Sequence, residues 1–96
     1  MKLESIKKSD DGKHKYTATF LLDTGREKKV RFGAVGYSDY TIHKDPKRQK
    51  RYLERHSGMG ENWKDPTTPG ALSRWILWEY PDFDRAVAEF RRRFSL

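Results

Sequence analysis

The segment at residues 72–78 constrains the fold of this chain more than any other, because apolar side chains surround nearly its whole circumference. The preceding Thr68 and Pro69 are a typical helix start, with a hydroxyl cap and a proline in the first turn, so we expect a helix over residues 69–80. A surface helix has one apolar stripe and one polar face. This helix lacks such a division, and it is therefore predicted to be the central core helix. Its apolar residues are Leu72, Trp75, Ile76, Leu77 and Trp78.

The first third of the chain has the two-residue alternation that is typical of β-strands. Residues 3–9, 16–22 and 28–32 alternate, and an Asp-Gly and a Thr-Gly turn separate them. Lys29 and Arg31 point away from the apolar side of the third strand. The pattern predicts an antiparallel meander with one core face and one basic, solvated face. The residues predicted on the core side are Tyr16, Ala18, Phe20, Leu22, Val30 and Phe32.

The rest of the chain carries helix signals separated by irregular segments. Residues 33–43 contain glycines and aromatics, which predicts an ordered loop with a helical turn after Ser38. Asp45 followed by proline predicts a helix that ends near His56, and Asp82 is the expected cap of a last helix. That last helix has one apolar stripe at spacings of three and four residues. The stripe consists of Phe83, Val87, Phe90 and Phe94.

These elements predict an α+β fold, a three-stranded antiparallel β-meander followed by three helices packed on one face. With 96 residues the chain has room for one core. We expect a single domain over residues 1–96, with the meander in residues 1–32 and the ordered loop and helices in residues 33–96. The sequence has no cysteine, which excludes disulfide scaffolds and thiolate zinc sites. No apolar leader or spanning stretch is present, so we expect an intracellular, soluble protein without a membrane partner.

The charge balance favours a polyanionic partner. The chain has 21 Lys and Arg against 14 Asp and Glu, which gives a formal net charge of +7. The excess is concentrated in residues 1–64, because residues 65–96 carry five basic and five acidic groups. Such an excess is compatible with nucleic acid, although charge alone specifies neither fold nor specificity.

The helix at residues 45–56 is the strongest candidate for a binding surface. Lys47, Arg51 and Arg55 are four residues apart and form one ridge, which could lie along phosphates. Lys29 and Arg31 on the strand face would assist. The alternative is a solvated helix whose apolar residues face the core. The full predicted set on and beside this helix is Lys44, Lys47, Arg48, Lys50, Arg51 and Arg55.

Three aromatic residues flank that helix in predicted loops. Tyr37 and Tyr40 precede it and Trp63 follows it. Their ring faces could stack on unpaired bases. The alternative interpretation is that they close the ends of a small core.

A catalytic or metal site is not expected. His43, Asp45, His56 and Glu61 are the one group that could bind a metal or act as general acid and base, and their spacing matches no metal motif. Histidines with satisfied hydrogen bonds at helix ends are the simpler interpretation. We therefore predict no cofactor, no metal and no catalytic residue. A metal-dependent nuclease is the minor alternative.

Arg74 lies inside the most apolar helix, where a charge is costly unless it is paired or its stem follows apolar surface. We expect a structural ion pair with Asp39, Asp45 or Glu61, and an anion contact at the edge of the domain is the alternative.

The sequence also resembles a known group of proteins. The motif FGAVGYSDYTIHKD at residues 32–45, YLERH at 52–56, ENW at 61–63 and GALSRWILW at 70–78 are similar to a family of short uncharacterised proteins from giant DNA viruses of the marseillevirus and mimivirus kind. The resemblance covers about half of the chain. It implies a viral protein that is carried in the virion and acts near DNA in the cytoplasm or nucleus of the host cell.

The leading hypothesis from the sequence is a non-enzymatic, basic, genome-associated virion protein that contacts DNA phosphates without sequence preference. The alternative is a structural or host-interaction virion protein, as a homodimer or bound to an acidic protein surface.

Overall fold

The first third of the chain forms an antiparallel meander, as predicted. The computed structural model describes all 96 residues. Its three strands are β1 (Lys2–Lys8), β2 (His14–Leu21) and β3 (Glu27–Ala34), in the sheet order β1-β2-β3. The third strand continues beyond the predicted residue 32, because Ala34 still pairs with His14.

A bulge in β1 places its apolar residues on the core face. Leu3 is opposite Phe20 and Ile6 is opposite Ala18, and the register shifts between Leu3 and Ser5. Residues three apart on a regular strand point to opposite faces, and the extra residue of a bulge corrects this. Leu3 and Ile6 therefore both reach the core.

Helices follow the sheet and complete the α+β fold that the sequence predicts. They are α1 (Tyr40–His43), α2 (Pro46–Ser57), α3 (Pro69–Leu72), which continues as a π-helical segment (Ser73–Leu77), and α4 (Phe83–Phe94). The side chains of Asp45, Thr68 and Asp82 cap α2, α3 and α4, as their positions predicted. The short α1 is the expected helical turn after Ser38. None of the helices has the length and apolar character that crossing a membrane requires.

The helix predicted at residues 69–80 is shorter and more irregular than expected. It changes to π-helical geometry at Ser73 and ends at Leu77. Pro81 disfavours helical backbone in the residue before it. The side-chain amide of Gln49 also binds the carbonyl oxygens of Trp78 and Glu79, at 2.9 and 3.0 Å, from the neighbouring α2. These contacts satisfy the last carbonyl groups outside the helix.

The central position of this helix is confirmed. Leu72 and Ile76 are completely buried, and they belong to a core cluster that includes Phe20, Phe32 and Phe90. The apolar stripe of α4 packs against the same cluster, as predicted. The core therefore lies between the sheet and the helical layer, while Trp75 and Trp78 lie at its margins and are only partly buried.

Candidate nucleic-acid interface

One aromatic side chain anchors the inner face of α2, and the basic residues of the helix remain exposed. Tyr52 is buried and stacks on Trp78 with ring centroids 4.1 Å apart and planes 3° apart. Asp45 caps the helix by accepting a hydrogen bond from the Lys47 amide at 2.9 Å. The arginines four residues before and three residues after Tyr52 flank it at the exposed edge of the same helix face.

Four cations on α2 are exposed and have no acidic partner. No carboxylate lies within 4.0 Å of the charged groups of Lys47, Arg48, Arg51 or Arg55. Lys50 is 3.9 Å from Glu54 in an exposed pair, and such pairs contribute little to stability. The helix therefore presents positive charge that nothing in the chain neutralises.

The cations that lie side by side on α2 differ from the ridge that the sequence predicted. Arg48, Arg51 and Arg55 surround Trp78 in a shallow depression of about 430 Å³. The spacing had suggested a ridge of Lys47, Arg51 and Arg55. Arg48 replaces Lys47 in the observed group because residues three and seven positions apart also lie on one helix face.

The other predicted cations are separated from this group. Lys44 donates a hydrogen bond to the carbonyl oxygen of Pro81 at 2.9 Å, which ties the start of α2 to the α4 connection. Lys29 and Arg31 lie on the sheet face turned away from the helices, in a groove of about 440 Å³ that contains no residue of α2. Arg31 is also 3.5 Å from Asp11. Three carboxylates line the same groove, so the sheet face has mixed charge and is not the basic face that the alternation predicted; the carboxylates are those of Glu4, Asp10 and Glu27.

The three aromatic candidates have different environments. The Tyr37 residue is 75% exposed and free to contact a ligand. Tyr40 is half-buried and lies beside His43, with centroids 6.2 Å apart. Trp63 is held by its own structural contacts, because its indole donates to Glu61 at 2.8 Å and its carbonyl accepts from the Trp75 indole at 2.9 Å.

A cleft that the sequence reasoning missed lies between α2 and the loop at residues 35–39, beside the end of β3. Its volume is about 460 Å³, and both Arg48 and Arg55 line it. Burial raises the pKa of the Tyr52 phenol at its base, with Glu61 adding to the effect. The motif at residues 52–56 is the sequence signal that could have indicated this cleft. Its tyrosine, arginine and histidine are three and four residues apart and therefore lie on one side of the helix. The lining includes Lys15, Tyr37, Arg48, Tyr52, Arg55, His56 and Trp78.

The histidine and carboxylate group proposed from the sequence separates into two pairs. His56 donates from Nδ1 to Glu61 at 2.9 Å, and the other carboxylate oxygen of Glu61 accepts from the Trp63 indole. His43 instead accepts at Nδ1 from the Asp45 backbone amide at 3.0 Å. No three histidine, aspartate or glutamate side chains come together as metal ligands would.

The predicted ion pair of Arg74 is confirmed, but none of the three predicted carboxylates is its partner. Its guanidinium pairs with Glu79 and lies 4.0 Å from the Trp75 ring centroid. Asp39 pairs with Lys15 at 2.6 Å in a largely buried ion pair, so it is already neutralised. Glu79 follows Arg74 by five residues, a spacing that brings the two together because the helix has ended before Glu79.

The half-buried His43, whose ring Nε2 is buried, predicts a pH dependence of stability. Burial, followed by the positive charge of Arg48, holds its pKa below the ordinary value of 6.5, although Asp45 and Asp39 act in the opposite direction. The folded state then binds fewer protons than the unfolded state as the pH falls through 6.5. The contribution of neutral His43 is therefore complete above that value and decreases below it, until the folded pKa is reached.

Urea unfolding at pH 7.5, 6.5 and 5.5 measures this effect. We expect the midpoint to fall with pH in the wild type and to fall less in His43→Gln, since an amide oxygen can still accept from the Asp45 amide. An equal pH slope in both proteins would show that other groups cause the change.

The fold and the exposed surface define a small basic α+β protein whose helix α2 presents unpaired positive charge. Residues 4–56 match a family of unknown function, DUF5754, and the chain belongs to that family. The match includes the whole of β2 and β3 and all the basic residues of α2, and it ends at His56. No curated protein and no solved structure matches the chain.

Proposed function

We propose that the protein uses α2 to bind the phosphate backbone of nucleic acid, primarily of DNA. The protein acts by binding and catalyses no reaction. The observation that carries this proposal is the contrast between the arginines of α2 and those elsewhere. Arg48, Arg51 and Arg55 are exposed and lack carboxylate partners, and they lie together around Trp78.

Most arginines outside α2 already have structural contacts. Arg31, Arg74 and Arg92 form ion pairs with carboxylates. Arg91 donates to the carbonyl oxygen of Leu3 at 2.6 Å, and Arg93 lies 3.8 Å from the Trp75 ring centroid. These contacts account for their presence through the stability of the fold. The three arginines on α2 have no comparable tertiary contact, and the one hydrogen bond among them is a long one of 3.4 Å from Arg51 Nε to a carbonyl oxygen of its own helix.

Arginine groups of this kind suit phosphate. The planar guanidinium donates two parallel hydrogen bonds to a phosphate group and is weakly hydrated, so it loses little on transfer from water. Each phosphate that it neutralises releases counterions from the DNA, which drives binding. Phosphate contacts carry no sequence information, so the expected binding is non-specific.

The biological setting is part of the proposal and rests on the resemblance to proteins of giant DNA viruses. In that setting the protein is a virion component associated with the genome, and it acts in the cytoplasm or nucleus of the host cell. The alternative is a structural or host-interaction protein whose α2 meets an acidic protein surface or a second copy of this chain.

Fluorescence anisotropy with a labelled 20-base-pair duplex, measured between 50 and 300 mM NaCl, tests the proposal. Three phosphate contacts predict a slope of about −2.7 in log affinity against log salt, from about −0.9 for each contact. No binding at 50 mM NaCl, or a flat salt dependence, would overturn it. Competition by unlabelled polyglutamate at equal charge separates the alternatives, because an acidic-protein binder is displaced as well by polyglutamate as by DNA. Light scattering without DNA detects a dimer.

A further inference from the structure

We propose that the cleft between α2 and the loop at residues 35–39 is a site for one nucleoside phosphate. The phosphate contacts Arg48 and Arg55, and the base lies against Tyr37. The volume of about 460 Å³ is within the range of small-molecule sites. The inference shares Arg48 and Arg55 with the proposed function and rests on it to that extent, but the cleft is a separate concave site with aromatic walls.

The charges in the cleft select an anion. Lys15 and Asp39 neutralise each other at 2.6 Å, and Asp39 also accepts hydrogen bonds from the amide and hydroxyl of Thr41. Arg48 and Arg55 have no carboxylate within 4.0 Å. A ligand in the cleft therefore meets two free guanidinium groups and no free carboxylate. A phosphate group of charge near −2 matches this pair.

Tyr37 provides the surface for a base. The residue is 75% exposed and its ring stacks on no other aromatic ring. The adjacent Gly36 has a positive φ of 93°, a conformation that glycine adopts without strain and that fixes the turn carrying Tyr37. Stacking of a base on an exposed aromatic ring strengthens binding by about five- to 150-fold.

The other aromatic residues of the cleft form a preformed wall. Trp78, Tyr52 and His56 stack in sequence, with centroids 4.1 Å apart at both steps. Tyr52 is buried and so is unavailable to a ligand through its faces. Because these rings already contact one another, the wall can remain in place when a ligand binds, and little ordering is required.

His56 has a free ring nitrogen at this wall. The Glu61 carboxylate can only accept, so Nδ1 carries a proton, and Nε2 is an acceptor in the tautomer that this hydrogen bond selects. Nε2 has no hydrogen-bond partner, and it is not buried from solvent. It can accept a hydrogen bond from a sugar hydroxyl or a base amino group. The cleft thus offers a partner for each of the three parts of a nucleotide.

Two sources could supply this chemistry, a free nucleotide or an unpaired nucleotide within a single strand. Chemical-shift titration of the ¹⁵N-labelled protein with dAMP, deoxyadenosine, inorganic phosphate and the single-stranded oligomer dA6 distinguishes them. We expect dAMP to shift the Tyr37 and His56 amides and to bind more tightly than phosphate or the nucleoside. Tighter binding of dA6 than of dAMP identifies a strand as the ligand, and equal binding identifies a free nucleotide.

The variant Tyr37→Ala should weaken dAMP binding about five- to tenfold, the lower part of the range for loss of one stacked base, and leave phosphate binding unchanged. The matched control is Lys47→Ala, on the same helix and outside the cleft lining, which should leave dAMP binding unchanged. Equal affinity for phosphate and dAMP, or an unaffected Tyr37→Ala, would overturn the cleft site. Either result would leave the proposed duplex binding untouched. The Tyr37→Ala variant retains all the cations of α2 and should bind the duplex as the wild type does.

Discussion

Replacing Arg48, Arg51 and Arg55 together by glutamine is expected to weaken binding to duplex DNA by about a hundredfold. These residues form the exposed cationic group around Trp78 and have no carboxylate partners. An exposed charged contact contributes up to about 1 kcal/mol, and about 1.4 kcal/mol corresponds to a tenfold change in affinity. Loss of three contacts also lowers the magnitude of the salt slope by about 2.7, at about 0.9 for each contact.

The fold should survive this change. Glutamine and arginine have similar helix propensities, and the anchor of α2 is the buried Tyr52, which is unchanged. Circular dichroism and the urea midpoint are the checks for the triple variant.

The matched control is Lys7, Lys29 and Arg31 replaced together by glutamine on the outer sheet face. It removes an equal number of positive charges, three, from a groove that shares no residue with α2. We expect a small loss of affinity in this control, from the reduced net charge alone. If both triple variants lose affinity equally, attraction to the whole basic protein explains the binding and α2 is not the interface.

The sequence predicted the elements whose patterns are local. Alternation along β2 identified the face of Ala18 and Phe20, which are completely buried. Cap residues identified the starts of the helices, because Asp45 and Asp82 bind backbone amides only two or three residues away. Such interactions depend on short stretches of chain, so their spacing can be recognised without the fold.

The cleft and the partner of Arg74 depend on how distant elements meet, and local patterns do not contain that information. Lys15 and Asp39 are 24 residues apart, and their ion pair removed Asp39 as a partner of Arg74. The nearby Glu79 was overlooked because a regular helix through residue 80 would place positions five apart on different faces. The π-helical segment and the end at Leu77 bring them together.

Removing the carboxylate of Glu79 is expected to destabilise the protein by about 3 kcal/mol, the largest effect on stability among these predictions. The side chain of Arg74 is 13% exposed and Glu79 is its carboxylate partner. The guanidinium of Arg74 contacts the rings of Trp63 and Trp75, and the Nε atom of Arg74 is buried without a hydrogen-bond partner. Breaking a buried pair by removing one member leaves an uncompensated charge and costs about 3–5 kcal/mol; the partial exposure of Glu79 favours the lower value.

Thermal unfolding of Glu79→Ala measures this cost, which corresponds to a fall in Tm of about 15 °C for a domain of this size. Glu54→Ala is the matched control, because its carboxylate is 3.9 Å from Lys50 in an exposed pair, and it should change stability by less than about 0.5 kcal/mol. The double variant with Arg74→Met should recover much of the loss, since it removes the unpaired charge and keeps an apolar side chain between the two tryptophans. If the double variant is no more stable than Glu79→Ala, Glu79 stabilises the chain through some contact other than the charge of Arg74.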